Sequence, residues 1–116
     1  MSVFSIARKS VKKDSGNGYT EQINSMKSYI SKSIAGKKIN QFKHTGTAFK
    51  MGKFGTELLE FFSSNISINE KEYDFVFTRP DRMSRNKHHT KSFLSDLSRL
   101  SRKNKFKVKF HFSQEP

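Results

Sequence analysis

The chain has 116 residues and a formal net charge of +13, from 23 lysines and arginines against 10 aspartates and glutamates. This length suits one domain with a single modest core. The chain contains no cysteine, which excludes disulfides, thiolate metal sites and a cysteine nucleophile. No apolar run approaches the about 20 residues of a membrane span, and we expect a soluble, intracellular protein.

The first half of the chain predicts a strand, a loop, a helix and a weak second strand. Residues 3–7 (VFSIA) are a β-leaning apolar run that leads directly into 8–10 (RKS). The polar, glycine-bearing residues 11–18 predict a loop. Apolar residues then recur at three- and four-residue steps, which predicts an amphipathic helix that ends near Gly36. They are Tyr19, Ile23, Met26, Ile30 and Ile34. Residues 38–42 predict the weak second strand.

A glycine- and lysine-containing segment, 43–55, predicts a flexible basic loop. Thr56 is expected to cap a second helix over 56–64, whose apolar side holds Leu58, Leu59 and Phe62. Residues 73–77 (YDFVF) form a nearly continuous apolar run. Such a run predicts a central strand buried on both faces.

The end of the chain repeats this alternation. Residues 78–86 (TRPDRMSRN) predict a turn, and a third helix follows. Its apolar side is expected to hold Phe93, Leu94, Leu97 and Leu100. Residues 106–112 (FKVKFHF) alternate apolar and basic side chains, which predicts a half-buried strand.

Strands that alternate with helices predict a three-layer α/β/α domain with a mostly parallel central sheet of about four strands. In open sheets of this type, ligands bind outside the carboxyl ends of the strands. Arg8 and Ser10 follow the first predicted strand, while Asp81, Arg82 and Arg85 follow the strand at 73–77. We therefore expect two basic clusters to meet at one edge of the sheet.

The chemistry of those clusters suits a phosphate. Each arginine stays charged and presents a planar fork that fits phosphate oxygens. A preorganised donor aimed at the developing charge contributes about 3–4 kcal/mol, and a positive field also eases loss of the serine proton. On composition alone, the simpler interpretation is that Arg8 and Arg82 are surface charges, and that Asp81 and Ser84 cap the third helix.

The order of these motifs resembles the catalytic domain of the serine recombinases, the resolvase and invertase family, over about residues 3–112. The segment 8–10 matches the Arg-x-Ser that ends the family's first strand, and Gln22 matches a glutamine on its first helix. Thr45-Gly46 stand where the family has a Ser-Gly pair in a mobile loop. The segment 81–86 (DRMSRN) differs from the family's second signature by Met for Leu.

The resemblance implies DNA strand cleavage and rejoining, as in site-specific recombination, through a 5′-phosphoserine intermediate. Ser10 would be the nucleophile, and three arginines would clamp the scissile phosphate, with Asp81 assisting. The three arginines are Arg8, Arg82 and Arg85. The family uses no metal and no cofactor, and we expect neither here. The side chains expected to bind other DNA phosphate oxygens are Gln22, Lys50, Lys53 and Asn86.

The resemblance also has departures. Lys50 or Met51 stands where the family has an arginine, and family members continue into a dimerisation helix and a DNA-binding module. We expect residues 1–116 to be a single catalytic domain that lacks both. Its partners would be DNA and further copies of itself on DNA or on a protein scaffold, with no membrane contact.

Two other functions fit the sequence. In the first, a catalytically impaired chain with the recombinase fold is a structural or DNA-coating component of a larger assembly such as a virion. In the second, the chain is a generic basic RNA-binding domain, although no aromatic stacking platform is identifiable. A lysine-rich solvated surface would account for the charge without any polyanionic partner.

Overall fold

The computed structural model describes residues 2–9, 19–34, 37–45, 51–67, 69–78 and 87–114. Within these ranges, strands and helices alternate. In chain order they are β1 (Ser2–Lys9), α1 (Tyr19–Ser33), β2 (Lys38–Thr45), α2 (Met51–Asn65), β3 (Glu72–Phe77), α3 (Lys87–Asn104) and β4 (Lys107–Phe112).

The four strands form one sheet in the order β2-β1-β3-β4, and every pairing between neighbours is parallel. Parallel strands need a crossover connection, and here each crossover contains a helix. α1 packs on one face of the sheet, and α2 and α3 pack on the other. The predicted three-layer α/β/α architecture is therefore confirmed.

The larger hydrophobic core lies between the sheet and the pair α2 and α3. It is built mainly from aromatic rings, with the Phe62 ring of α2 at its centre. That ring meets the rings of Phe4, Tyr73, Phe75 and Phe106 edge-on, with centroids 4.9–5.5 Å apart. Edge-to-face pairs of this kind are stabilising beyond the area that they bury.

The smaller core lies under α1. Met26, Ile30 and Ile34 pack there against Val3, Ala7 and Val76 of the two central strands. The residues that they cover alternate with those of the larger core, so β1 and β3 are buried on both faces. This confirms the strand predicted at 73–77, whose five residues are all buried.

The predicted loop at 43–55 is wrong at both ends. β2 continues to Thr45, because it stays paired with β1 up to the register Lys9↔Thr45. α2 begins at Met51, five residues before the predicted cap at Thr56. Gly55 therefore lies inside a helix, where it packs against Phe93 of α3. Residues 46–50 lie outside the described part of the chain.

The apolar side of α3 is narrower than predicted. Phe93 and Leu97 are buried and Leu100 is half-buried, but Leu94 is 37% exposed. Successive helical residues are about 100° apart, so a residue next to Phe93 points away from the face that Phe93 and Leu97 share.

Gly55 provides a test of the packing between α2 and α3. A Cβ added at Gly55 would lie 3.7 Å from Phe93 Cβ and Cδ1, an ordinary van der Waals contact. Because glycine inside a helix costs about 0.5–1 kcal/mol relative to alanine, Gly55→Ala should raise the free energy of unfolding by that amount in urea denaturation. A lower stability would show that the two helices are too close for a methyl group.

Candidate functional site

The candidate site lies at the carboxyl edge of the sheet, between β1 and β3. These two strands are neighbours, but their described ladder ends at Ser5↔Val76, whereas β1 remains paired with β2 as far as Lys9↔Thr45. The direction in which the chain crosses the sheet also changes here. From β1 the chain goes to β2 on one side, and from β3 it goes to β4 on the other. Open α/β sheets bind ligands in the crevice at such a switch point.

The side chain of Gln22 occupies the space beside the end of β1. Its Oε1 accepts a hydrogen bond from the backbone N–H of Arg8 at 3.1 Å, and its Nε2 donates to the backbone carbonyl of Arg8 at 2.8 Å. The amide thus bonds the backbone of β1 as a neighbouring strand would. The residue is buried, so the two bonds also offset the cost of removing its amide from water.

Gln22 therefore has a structural role that the sequence alone did not suggest. The resemblance implied a contact between Gln22 and a DNA phosphate, and that contact stays a prediction. In the structure, Gln22 fixes the backbone position of Arg8 and joins α1 to the candidate site.

Arg8 is buried, with 6% of its surface exposed. It is paired in register with His44 on β2, so the two side chains lie on the same face of the sheet. His44 is also buried, and its Nε2 lies 3.4 Å from Glu57 Oε2 on α2. Arg8, His44 and Glu57 therefore all lie on the α2 side of this edge. Sequence reasoning missed His44 and Glu57, because no local pattern distinguishes them.

The other predicted site residues are covered only in part. Lys53 lies in the first turn of α2 rather than in a loop. Ser10 directly follows the last residue of β1, and the segment 81–86 lies between the end of β3 and the start of α3. The predicted site residues outside the described ranges are Ser10, Lys50, Asp81, Arg82, Arg85 and Asn86.

A second polar cluster lies on the α1 face of the sheet, with Asp74 of β3 at its centre. The Asp74 side chain is only 5% exposed, and it accepts hydrogen bonds from Lys37 Nζ at 2.5 Å and from His111 Nε2 at 2.8 Å. The other ring nitrogen of His111 is hydrogen-bonded to the Tyr29 hydroxyl at 3.0 Å. This network links β3 to β4, to α1 and to the residue before β2.

The partners of Asp74 decide its charge state. Burial by itself would raise the pKa of Asp74, but the hydrogen bonds from Lys37 and His111 and their positive charge outweigh it. The pKa of this carboxyl group is therefore below its usual range. The sequence carried one signal for this cluster, an acidic residue inside an otherwise apolar strand.

No group of three or more His, Cys, Asp or Glu side chains in the described ranges is arranged to hold a metal ion. No helix among the same residues is both long and apolar enough to cross a membrane.

Comparisons of the chain with protein-family models, with curated proteins and with solved structures find no match. The resemblance to serine recombinases therefore rests on the motifs themselves.

Gln22→Ala should loosen the end of β1. The change leaves a buried N–H and a buried carbonyl of Arg8 without their hydrogen-bond partner, which costs about 1–3 kcal/mol. We expect a lower free energy of unfolding and faster hydrogen exchange of the Arg8 amide. Gln114→Ala is the control, because that side chain is exposed. Unchanged exchange at Arg8 would contradict the role assigned to Gln22.

Asp74→Asn should change how stability depends on pH. The folded-state pKa of Asp74 is lowered, so its contribution is present above the unfolded-state pKa of about 4 and is lost as the pH falls through the folded-state value. At neutral pH the substitution should cost about 3 kcal/mol, because Lys37 and His111 lose their partner. The variant should also lose less stability than the wild type on acidification, as measured by urea denaturation.

The matched control for Asp74 is Asp96→Asn. Asp96 forms an ion pair with Arg99 at 2.6 Å, but both side chains are exposed, and such pairs contribute about 0–1 kcal/mol. Equal effects of the two substitutions at neutral pH would show that the Asp74 network is no stronger than a surface pair.

Proposed function

We propose that this chain cleaves and rejoins a DNA strand by the serine recombinase reaction, with its active site at the carboxyl edge of the sheet. One observation carries the proposal. β1 is longer than the predicted strand at 3–7, so it ends within the segment 8–10, while the segment 81–86 comes after β3 in the chain, and these two strands are parallel neighbours. The two motifs that carry the resemblance therefore belong to the carboxyl ends of adjacent strands.

In the proposed reaction, the Ser10 hydroxyl oxygen attacks a backbone phosphorus and loses its proton. The bond from phosphorus to the 3′ oxygen breaks, and that oxygen gains a proton to become a free 3′-hydroxyl. The 5′ phosphate remains on Ser10 as an ester. Attack of a 3′-hydroxyl on that ester reverses the steps and rejoins the strand without an external energy source.

The contribution of Arg8 is supported by its surroundings. The guanidinium is in a buried setting, where attraction to a phosphate is stronger than in water. Gln22 already fixes the backbone of this residue. A cation held in place before the reaction need not reorganise as charge develops on the phosphate. Arg82 and Arg85 would add two further planar forks from the segment after β3.

The charge of the chain supports DNA as the substrate. A net charge of +13 favours association with a polyanion through phosphate contacts, which carry little sequence information. Self-association on DNA, or on a protein scaffold, belongs to the same proposal, because strand exchange requires more than one cut strand.

A DNA-coating role in a larger assembly is the second candidate. The observation that favours it is the lysine or methionine at positions 50 and 51, where the family has an arginine. Lysine keeps the charge but lacks the bidentate fork. In this case the chain would bind DNA without forming a covalent intermediate.

A covalent adduct tests the catalytic proposal. The wild-type chain is incubated with a random-sequence pool of nicked duplexes labelled at the 3′ ends, because the protein would retain the 5′ phosphate. We expect a labelled protein band on a denaturing gel and no band with Ser10→Ala. Arg82→Ala should reduce the band about a hundredfold or more.

Matched controls are available on α3. Ser95 is exposed, and the side chain of Arg99 is 70% exposed, so Ser95→Ala and Arg99→Ala should leave the band unchanged. An adduct that still forms with Ser10→Ala would show that another residue is the nucleophile. DNA binding without any wild-type adduct would favour the DNA-coating role.

A further inference from the structure

A second concentration of positive charge lies at the amino edge of the sheet, opposite the candidate site. α3 ends there, β4 begins there, and residue 71 directly precedes β3. The two segments are in contact, because the backbone N–H of Lys107 donates to the carbonyl of Lys71 at 2.8 Å. Five exposed residues lie at this edge, and we call them the amino-edge cations: Lys71, Arg102, Lys103, Lys105 and Lys107.

The amino-edge cations outnumber the carboxylates beside them, since Glu70 and Glu72 flank Lys71 and Glu72 is paired in register with Lys107. None of the five side chains forms an ion pair or a hydrogen bond with a described residue, whereas Lys37 and Arg99 each pair with an aspartate. Arg102 and Lys103 lie in the last turn of α3, where cations stabilise the helix. That explanation does not extend to the other three lysines, which lie outside the helix.

The backbone of Lys105 is a second observation. Its φ is 57°, in the left-handed region, and the N–H of Phe106 closes the helix end by donating to the Ser101 carbonyl at 3.2 Å. Glycine usually occupies this position, because a Cβ disfavours the conformation. A lysine here lowers stability and adds a charge to an already positive surface. Non-glycine residues in this conformation are enriched at functional sites.

The composition of the surface decides which partner it fits. Protein interfaces have an apolar or aromatic centre, and sites for single-stranded nucleic acid use aromatic rings to stack bases. The amino-edge cations include neither. The exposed large hydrophobic residues of the described chain lie elsewhere: Ile39 is on β2, at the opposite side of the sheet from β4, and Leu94 is eight residues before Arg102 on α3. Dispersed, exposed cations without such groups fit the phosphate backbone of a duplex.

We propose that the amino-edge cations bind a second DNA duplex, so that one chain bridges two duplexes from opposite edges of its sheet. The strands contain six to eight residues, which separates the edges by about 20–26 Å. This exceeds the Debye length of about 8 Å at physiological salt, so the charges of the two duplexes are screened from each other. The inference uses the proposed function only to assign the first duplex to the carboxyl edge.

The test measures capture of a free fluorescent duplex by the full chain bound to a duplex on beads. Wild-type protein should capture it, and Lys103→Gln/Lys107→Gln should reduce capture at least tenfold. In a plot of the logarithm of the capture affinity against the logarithm of the salt concentration, the slope should become shallower by about 2, since each phosphate contact contributes about 0.9 to it. Lys27→Gln/Lys109→Gln removes the same charge from exposed positions midway along α1 and β4 and should retain capture.

The variant Lys105→Gly distinguishes a loss of DNA capture from a loss of stability. It should raise the midpoint of thermal unfolding by a few degrees, because glycine accepts the left-handed conformation, and it should still weaken capture. A more stable variant with undiminished capture would contradict a binding role for Lys105 and overturn the proposal as stated.

Other outcomes also overturn the proposal. They are no capture by the wild type, equal losses in the two double variants, or capture of single-stranded RNA or an acidic protein instead of duplex. If one chain bridges two duplexes, capture should pass through a maximum as the protein concentration is raised, and it should decline once the protein is in excess over the duplex. Capture that keeps rising would show a bridge between two copies.

The outcome is independent of the catalytic proposal. Ser10→Ala should retain capture, and Lys103→Gln/Lys107→Gln should still form the covalent adduct on a single duplex. Failure of the adduct experiment alone would leave the second DNA surface in place.

Discussion

The fold depends on the pairing of β1 with both of its neighbours. β1 forms parallel ladders with β2 and β3, and it is buried on both faces. Phe4 and Ile6 face the larger core under α2 and α3, while Val3 and Ala7 face the smaller core under α1. A single strand therefore contributes to two ladders and two cores, and its register aligns all three layers.

β1 contributes to the core and, two residues later on the same face, to the candidate site. Ile6 packs in the larger core, and Arg8, which alternation places on the same face, is the buried cation of the proposed active site. Gln22 completes the hydrogen bonding of the backbone where the described ladder to β3 has ended. The site is thus attached to the most constrained strand of the sheet, which favours the preorganisation that phosphate chemistry needs.

Charge serves two purposes in this chain. Inside, the buried Asp74 carboxylate accepts hydrogen bonds from Lys37 and His111, and these bonds join β3 to the residue before β2 and to β4. Outside, the amino-edge cations have no such partner among the described residues, and the Lys105 backbone lowers stability at that edge. Paired charges organise the fold, whereas the unpaired cations are the groups that we propose to bind DNA.

Strand-like and helix-like spacings of apolar residues alternate along the sequence, and this pattern determined the α/β class and the buried strand at 73–77. The sequence motifs placed Arg8 in a candidate site. Local composition was misleading at 43–55, because pairing with β1 and packing on α3 override the preferences of glycine and lysine. Only the tertiary structure decided that Gln22 bonds the backbone of Arg8, 14 residues away, and that Asp74 bonds Lys37 and His111, each 37 residues away. Periodicity reports which face a residue occupies, but hydrogen bonds depend on distances in space that no local pattern encodes.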